Sequence, residues 1–558
     1  MTDVSRRQAL TLAAATLAAT RVAESSDSTV TEGSARFRHG VASGDPDRSS
    51  VVIWTRVSGL AGPEAVQWEV AKDRSFREIV SQGSMPVSAI RDYTAKVLVT
   101  GLTAGSTYFY RYALGTEQSE TGTTRTLPAG EVASLTMAVA SCSNFPFGFF
   151  NAYESIARDN SIDWVLHLGD YIYEYGPDGF GGEVGKLLGR EHEPRHETVS
   201  LADYRRRHAQ YKADPQSQAM HAAKPLLAIW DDHEATNNPW TGGAENHQSD
   251  SEGDWQTRRD AALQAYFEWM PVRDPAPGHR RSDYWRHWRF GSLASLISLE
   301  TRHSGRAEQI SYFDHLNRLE DPEAAQEFLR TIVGAPDRAM LSTAMESFLR
   351  ESLSESTNAG RPWRLIANQI PMARTLNPRI SVEDLDTLGR DLSEKSRKRI
   401  NYMYQLGQLG MPLYLDPWDG YPVARQKFYE LCKRAGATDL VVLTGDSHSF
   451  WSNQLFDDRG QRMGVELGTT GITSPGDFLE FGAAGAEFMD KALVATNPEI
   501  LWTDCRHTGY LRLRLDQQGG LAEYMSCPLD RANKRSVKTI KSMQIARSNG
   551  AVELVETT

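Results

Sequence analysis

Seven short apolar runs, five of them closing on Cys, Asp, Asn or His, constrain this chain more than any other feature. They occupy residues 135–140, 164–168, 226–230, 293–299, 363–367, 440–444 and 464–468. A strand with one wet face alternates apolar and polar residues; near-continuous apolar runs suit strands buried on both faces. Helix-favouring, mostly polar sequence lies at 201–222, 320–356 and 381–410. Strand-like runs separated by such stretches predict a layered α/β domain. Ligands of open α/β sheets gather outside the carboxyl ends of the strands, so the residues just after each run are the candidates for chemistry. The first run ends in Ser141-Cys142-Ser143-Asn144 and the second in Gly169-Asp170-Tyr171-Ile172-Tyr173. The third ends in Asp231-Asp232-His233-Glu234 and continues to Asn237-Asn238. Later runs end in Asn368-Gln369 and in Gly445-Asp446-Ser447-His448.

These side chains are metal donors. Cys142, Asp170, Tyr173 and His448 combine thiolate, carboxylate, phenolate and imidazole, a set suited to a high-charge ion such as Fe(III). Asp170, Asp232, Asn238 and Asp446 form an oxygen-only set, which favours Ca²⁺, Mg²⁺ or Mn²⁺ over zinc. Asp170 belongs to both sets and is the expected bridge. Two cations can hold a phosphoryl group and acidify a bound water. His233 is then free to protonate the leaving oxygen. Taken singly, each residue has a plainer role. Cys142 reads as a small buried hydrophobe, Asp170 as an Asx-turn residue, and Tyr171 and Tyr175 as packing. Asp231 reads as a structural acid, and Trp240 and Trp451 as core residues. The combination at successive strand ends favours the metal reading.

Upstream the pattern changes. Residues 50–55, 65–70, 95–99 and 107–112 read as closely spaced strands, two of them cleanly alternating, which predicts a β-sandwich. The string Leu102-Thr103-Ala104-Gly105-Ser106-Thr107-Tyr108-Phe109-Tyr110 resembles the E–F corner of fibronectin type III domains. A boundary is expected at Pro128–Glu131. At the other end of this unit, Arg6-Arg7 precedes an Ala/Leu/Thr run to Thr20, the order of a twin-arginine export signal. The expected units are therefore 1–34, signal and linker; 35–130, sandwich; 131–530, catalytic domain; and 531–558, a tail.

A formal charge of -11 argues against a general nucleic-acid binder, which needs a basic face. It does not exclude an anionic substrate, because bound cations invert the local field. No uninterrupted apolar stretch is long enough to cross a bilayer. Four cysteines are too few for a disulfide scaffold; Cys505 and Cys527 flank a hairpin-like stretch and are expected to be able to pair after export.

The motif series Gly169-Asp170-x-x-Tyr173, Asp231-Asp232-His233-Glu234 and Gly445-Asp446-Ser447-His448 resembles the calcineurin-like metallophosphoesterases. With Ser-Cys-Ser-Asn first, it is similar to their PhoD-like branch, the alkaline phosphatase and phospholipase D relatives, over residues 36–530. The resemblance implies an α/β fold, a fibronectin-III-like sandwich followed by an αββα metallophosphoesterase sandwich. It implies an exported, periplasmic or secreted phosphoester hydrolase, acting on monoesters or diesters as a monomer. It implies one Fe³⁺ on Cys142, Asp170, Tyr173 and His448, with Ca²⁺ on Asp232, Asn238 and Asp446. His233 matches the catalytic histidine. A phospholipase D-type phosphodiesterase is the alternative within the fold, and the tail after Arg531 is a candidate lid. Two departures stand out. Glu300-Thr301-Arg302 replaces an expected Asp-Thr-Arg, and Glu174 rather than an arginine comes after Tyr173. Phosphate contacts are therefore assigned to Arg302, Arg306 and Asn144. Asn368-Gln369 falls where a ligand histidine is usual, which leaves that role open. A rival from another class, a serine esterase using Ser447, predicts sensitivity to fluorophosphonates and indifference to chelators.

Overall fold

The computed structural model describes residues 36–390, 392–530, 536–548 and 550–557. The twin-arginine segment and linker lie outside the described residues.

Two sheets pack face to face. One has ten strands, in the spatial order Ala551–Glu556, Lys538–Ser548, Gly520–Ser526, Gly509–Asp516, Ser134–Ala140, Trp164–His167, Leu226–Ala228, Val41–Gly44, Val51–Arg56 and Thr94–Val99. The other has seven, from His287–Phe290 through Ala294–Ser298, Trp363–Ala367, Leu440–Thr444, Arg462–Gly468 and Phe450–Phe456 to Ile500–Asp504. All seven apolar runs are strands, because neighbouring residues in each must enter different cores. Leu166 and Val139 of one sheet meet Leu296, Val441 and Leu443 of the other in the central layer. Their neighbours Val165 and Ala138 face outward under the helices Asn151–Arg158, Leu201–Ala213 and Trp255–Trp269. On the other side Leu440 and Val442 lie under Thr343–Asn358 and Pro422–Arg434. The period of two sends alternate side chains to opposite faces, and with both faces covered the strand is apolar throughout. The architecture is αββα with an N-terminal sandwich.

That sandwich shares a sheet with the rest. Its inner sheet is the Val41–Gly44, Val51–Arg56 and Thr94–Val99 end of the ten-stranded sheet, joined by the parallel pairing of Gly44 with Leu226. A Cβ on Gly44 would stand 2.6 Å from the Leu226 carbonyl oxygen and 2.7 Å from that of Pro271, so only glycine permits this junction. Asp45 reinforces it by accepting from the Arg286 and Trp288 side chains. Where the sequence suggests a division at 128–131, hydrogen bonding therefore runs across. The outer sheet holds Glu64–Ala71, Ile79–Val87 and Thr107–Leu114, and Val51, Ile53, Val66, Val70, Tyr108 and Tyr110 fill the space between. The Tyr108 hydroxyl accepts from the Thr103 amide at 2.9 Å, the tyrosine-corner contact suggested by the 102–110 string.

Two expectations are corrected. Residues 538–548 and 551–556, read as a tail and candidate lid, are the outermost strands of the large sheet. They send Met543, Ile545, Val552 and Leu554 into the intersheet core, so the segment builds the fold. The four cysteines are free and buried. Cys505 packs with Ile380 and Phe478, and Cys527 packs in the helix-covered core beside Tyr510, so they occupy separate clusters. Among the described residues no helix is long and apolar enough to cross a membrane.

Candidate metal centre

Three adjacent strands of the large sheet and one of the small sheet deliver the site. The loop after Ser134–Ala140 is pinned to the loop after Trp164–His167 by Cys142 N–H to Gly169 O, 3.2 Å, and Ser143 N–H to Asp170 O, 2.9 Å. Gly169 has φ 108°, and a Cβ there would meet the Asp231 amide at 2.3 Å, so the close approach of the second and third motifs requires this glycine. Nine non-glycine residues have φ between 44° and 61° among the described residues. Five of them are Cys142, Asp170, Asn238, Asp446 and His448. Left-handed backbone at side chains other than glycine costs energy and persists where the surroundings enforce it, which is the pattern of a built site.

The donors converge. One donor atom each from Cys142, Asp170 and His448 lies within 4.8 Å of the others, and so do those of Asp170, Asp232 and His233. A third group joins Asp231, Asp232 and Asp446. Tyr173 Oη donates to Asp170 Oδ2 at 3.0 Å and lies 3.2 Å from His448 Nε2, which places it in the first group. Ser474 Oγ donates to the same phenol oxygen at 2.9 Å. Asp170 is common to the first two groups. Asn238 N–H donates to Asp232 Oδ2 at 3.0 Å, its side-chain amide donates to Glu245, and its Oδ1 is buried with no hydrogen-bond partner among the described residues. The Asn144 side-chain oxygen is in the same condition.

Charge explains what such a cluster needs. Asp170, Asp231, Asp232, Glu174 and Glu234 are each at most 1% exposed. Burial pushes the Asp170 carboxyl well above its ordinary range, against His233, and Asp232 and Asp231 push it further. Burial raises the Cys142 thiol and the Tyr173 phenol too, and Asp170 adds to both. Buried like charges of this density demand compensation. Cations held by such thiolate, phenolate, imidazole and carboxylate donors would supply it, and the orphaned Asn238 oxygen is a further candidate donor. The residues present therefore fit metal ions.

His233 is the exception in sign. Burial disfavours its charged form, but Asp232, Glu174 and Asp170 outweigh that and hold the imidazole pKa well above its usual value. Its Nδ1 lies 2.7 Å from Glu174 Oε2, while Nε2 faces Asp232 at 3.7 Å. Glu174 is in none of the three donor groups. Its other oxygen accepts from Asn237 N–H and Asn246 Nδ2, which fixes the carboxylate behind the histidine.

The arginines depart from expectation. Arg302 reaches the site, but its side chain is 0% exposed. Its Nε donates to Asp231 at 2.5 Å, one terminal nitrogen to Asp416 at 3.0 Å and the other to Asp446 at 3.2 Å. Arg306 is turned onto Asp416, through the backbone carbonyl at 2.8 Å and the carboxylate at 2.5 Å. Neither guanidinium faces solvent, because buried carboxylates outcompete an external anion for their donors. Asn144 stays near the cluster, with Nδ2 donating to Phe180 O at 3.1 Å. Glu300 caps its own turn, accepting from the amides of Arg302, His303 and Ser304. Asn368 and Gln369 are absorbed structurally. Asn368 bonds Ile370 O and Trp418 Nε1, and Gln369 bonds Leu299 O and Thr301 Oγ1. Ser447 Oγ accepts from the Trp451 indole at 2.7 Å.

Sequence reasoning assigned no role to two acids. Glu234 accepts from the amides of Asp170, Tyr171 and Asp231 at 3.0, 2.6 and 2.8 Å, tying two motifs together. Burial pushes its carboxyl up to about 7 against those three donors. Glu174 orients His233. Neither has a distinguishing signal in sequence: Glu234 lies among the polar residues of 231–238 and Glu174 among tyrosines.

Known proteins match both parts of the chain. A family model described as PhoD-like phosphatase matches residues 137–524, and one for the PhoD-like phosphatase N-terminal domain matches 22–128. The chain is 33% identical over 539 residues to alkaline phosphatase D of Bacillus subtilis (strain 168), covering 94% of this chain and 83% of that protein. It is also similar to a solved structure of PhoD, with TM-score 0.73 and 30% identity over 94% of this chain and 92% of that one.

Proposed function

The chain belongs to the PhoD-like phosphatase family, and from that membership and the shared carboxylate of Asp170 we propose that it is an exported, two-metal phosphoester hydrolase holding iron beside calcium. That it is a metal-dependent hydrolase of phosphoric esters follows from the family. The metals are our reading. Cys142, Asp170, Tyr173 and His448 would hold Fe³⁺, since thiolate and phenolate suit a high-charge ion. Asp170, Asp232, Asn238 and Asp446 would hold Ca²⁺ through oxygen alone. When bound, the pair supplies positive charge to the phosphoryl oxygens and acidity to a coordinated water.

The rest falls to the protein. Glu174 takes the Nδ1 proton of His233 in a hydrogen bond, which leaves Nε2–H directed at the carboxylate cluster and able to protonate the departing ester oxygen. Glu174 lies outside the three donor groups, while His233 stands with Asp170 and Asp232 in one of them, so the acid role requires its Nε2 to stay unligated. Glu234 fixes the backbone of the second and third motifs, and Arg302 donates to both Asp231 and Asp446. Phosphate contact is left to Asn144, whose side-chain amide donates to Phe180 O and keeps a second N–H.

The observation that carries this reading is that Asp170 is shared by two donor groups. Elemental analysis of purified protein, paired with turnover of a chromogenic monoester and diester, tests it. Iron and calcium are expected together, with activity lost to chelators and regained on adding metal. Cys142→Ala should lose iron while calcium binding persists. Full activity in metal-stripped protein, with inhibition by a fluorophosphonate, would instead support the Ser447 reading. Light scattering on the same sample should report a monomer.

Export by the twin-arginine route rests on Arg6-Arg7 and the apolar run behind them. Replacing both arginines with lysine should retain the protein and its activity inside the producing cell. Unchanged export of that variant would remove this part of the proposal.

A further inference from the structure

Asn238 can serve a cation only through its side-chain oxygen, and a neighbouring acid decides which way that oxygen turns. We propose that Glu245 is a positioning residue, which holds the Asn238 side-chain amide with its oxygen inward and so sets the affinity of the oxygen-only site for a hard divalent cation. The proposal rests on the reading of Asn238 as a calcium donor.

The local backbone makes the pair. Pro239–Trp240 and Gly243–Ala244 form a small antiparallel ribbon, with Pro239 opposite Ala244 and Trp240 opposite Gly243. Continued by one residue, that register sets Asn238 opposite Glu245. Glu245 N–H accordingly donates to Asn238 O at 3.2 Å, and Asn246 N–H to Asn237 O at 3.3 Å. A Cβ on Gly243 would lie 2.6 Å from the Trp240 ring, so the indole lies across the ribbon only because that position is glycine. Gln309 Nε2 donates to Asn238 O at 3.2 Å, and the Thr241 amide to Arg306 O at 3.2 Å. These bonds tie the ribbon to the loop that follows Arg302. Asn238 itself has φ 48°, a conformation that asparagine and aspartate tolerate.

The chemistry follows from the two ends of a carboxamide. One end is an oxygen that accepts; the other is an NH₂ that donates. Turning the group over exchanges them with little change of shape. Only one orientation serves a cation, because Ca²⁺ takes a carboxamide oxygen and is repelled by an N–H. Asn238 is 3% exposed, and its Oδ1 is buried with no hydrogen-bond partner among the described residues. Its backbone N–H donates to Asp232 Oδ2 at 3.0 Å, which anchors the residue to the donor cluster. Glu245 is exposed, and its Oε2 accepts from Asn238 Nδ2 at 2.6 Å. A carboxylate oxygen at that distance requires the NH₂ end. The opposite orientation would set oxygen against oxygen there and put the NH₂ where the buried oxygen now lies. The same Glu245 oxygen lies 3.4 Å from Asn237 Nδ2, so one anion orients two successive amides. Because Glu245 faces water, its charge stays hydrated and adds nothing to the buried negative charge of the cluster.

Calcium titration of the iron-loaded, calcium-depleted protein, followed by calorimetry, tests this. Glu245→Ala should weaken calcium binding about tenfold, the lower end for losing the outer partner of a metal ligand, with iron content at the parental level. Glu245→Gln removes the charge but keeps an oxygen able to accept from Asn238, and should stay within about threefold of the parent. Asn238→Asp presents oxygen in either orientation. In that background Glu245→Ala should leave calcium affinity unchanged or tighten it, since Glu245 then opposes a second carboxylate. Parental affinity in Glu245→Ala overturns the proposal. An equal loss in Glu245→Gln also overturns it, because the effect would then be one of charge. A loss that persists in the Asn238→Asp background does the same, because the effect would then be one of fold. If the parent protein and every variant alike bind no calcium with iron in place, the calcium reading of Asn238 fails and this proposal falls with it.

Discussion

Asp170→Asn will lower phosphoester turnover about a thousandfold, the upper range for losing one electrostatic group at a reacting centre, and will raise the melting temperature of the metal-free protein. Both effects come from one geometry. Asp170 Oδ2 accepts from Tyr173 and Oδ1 from the His233 amide. Between them the carboxylate is shared by the donor groups of Cys142 with His448 and of Asp232 with His233. An asparagine offers one oxygen and a neutral charge, so it cannot bridge. Two cations held only by their separate donors are held more weakly and repel without a shared anion. The stabilising half follows from the same crowding. In the metal-free protein Asp170 is buried beside Asp231, Asp232 and Glu234, and its ionisation is opposed by burial first and by those neighbours next. Removing one carboxyl group relieves that opposition. Calorimetry with and without chelator, beside a turnover assay, reads both. Near-normal turnover by the variant would sink the bridging role, whatever the melting temperature does.

Much of this site was legible because its parts are local. Each apolar run is a strand, and each donor lies within a few residues of a strand end, so the resemblance could be carried motif by motif. In the structure Cys142 is buried, and the backbone is left-handed at Asp170 and Asp446. The features that sequence did not reveal are of another kind. Glu234 and Glu174 act on backbone amides and on a ring nitrogen, and no spacing announces an acceptor for an amide. Trp451 reads as a core residue and is buried, and it also lines a small cavity with Leu413, Pro417 and Phe478, segments remote in sequence. The C-terminal strands are hidden in sequence because Lys541 and Arg547 share the face of Met543 and Ile545, where they lie over the Trp502 and Trp363 rings, and those charges break the apolar period. The shared sheet was missed because Val41–Gly44 is four residues long and its partner, Leu226, is remote in sequence.

Arg302 is the sharpest reversal, and its substitution has the largest expected effect on stability. Sequence order placed it as a phosphate contact, with fork geometry suited to that task. In the structure the fork is filled by this protein's own acids. Asp231, Asp416 and Asp446 each take a separate nitrogen, and Asp232 lies 3.6 Å away. Those four come from three different loops, so no window of sequence contains them. Arg302→Met keeps volume and removes the charge. It leaves Asp231 buried without its guanidinium partner and leaves Asp416 to Arg306, which should cost about 3–5 kcal/mol of folding stability. Arg302→Lys should lose most of the same amount, because one ammonium cannot span three partners. Urea unfolding of the metal-free variants measures this. Excess divalent cation should return part of the loss, since Asp231, Asp232 and Asp446 form a donor group that a cation can neutralise in the guanidinium's place. A substrate clamp predicts something different: a parental urea midpoint, a raised KM, and no response of stability to added cation. That outcome in Arg302→Met would return the side chain to the substrate and leave the four carboxylates to be explained by metal alone.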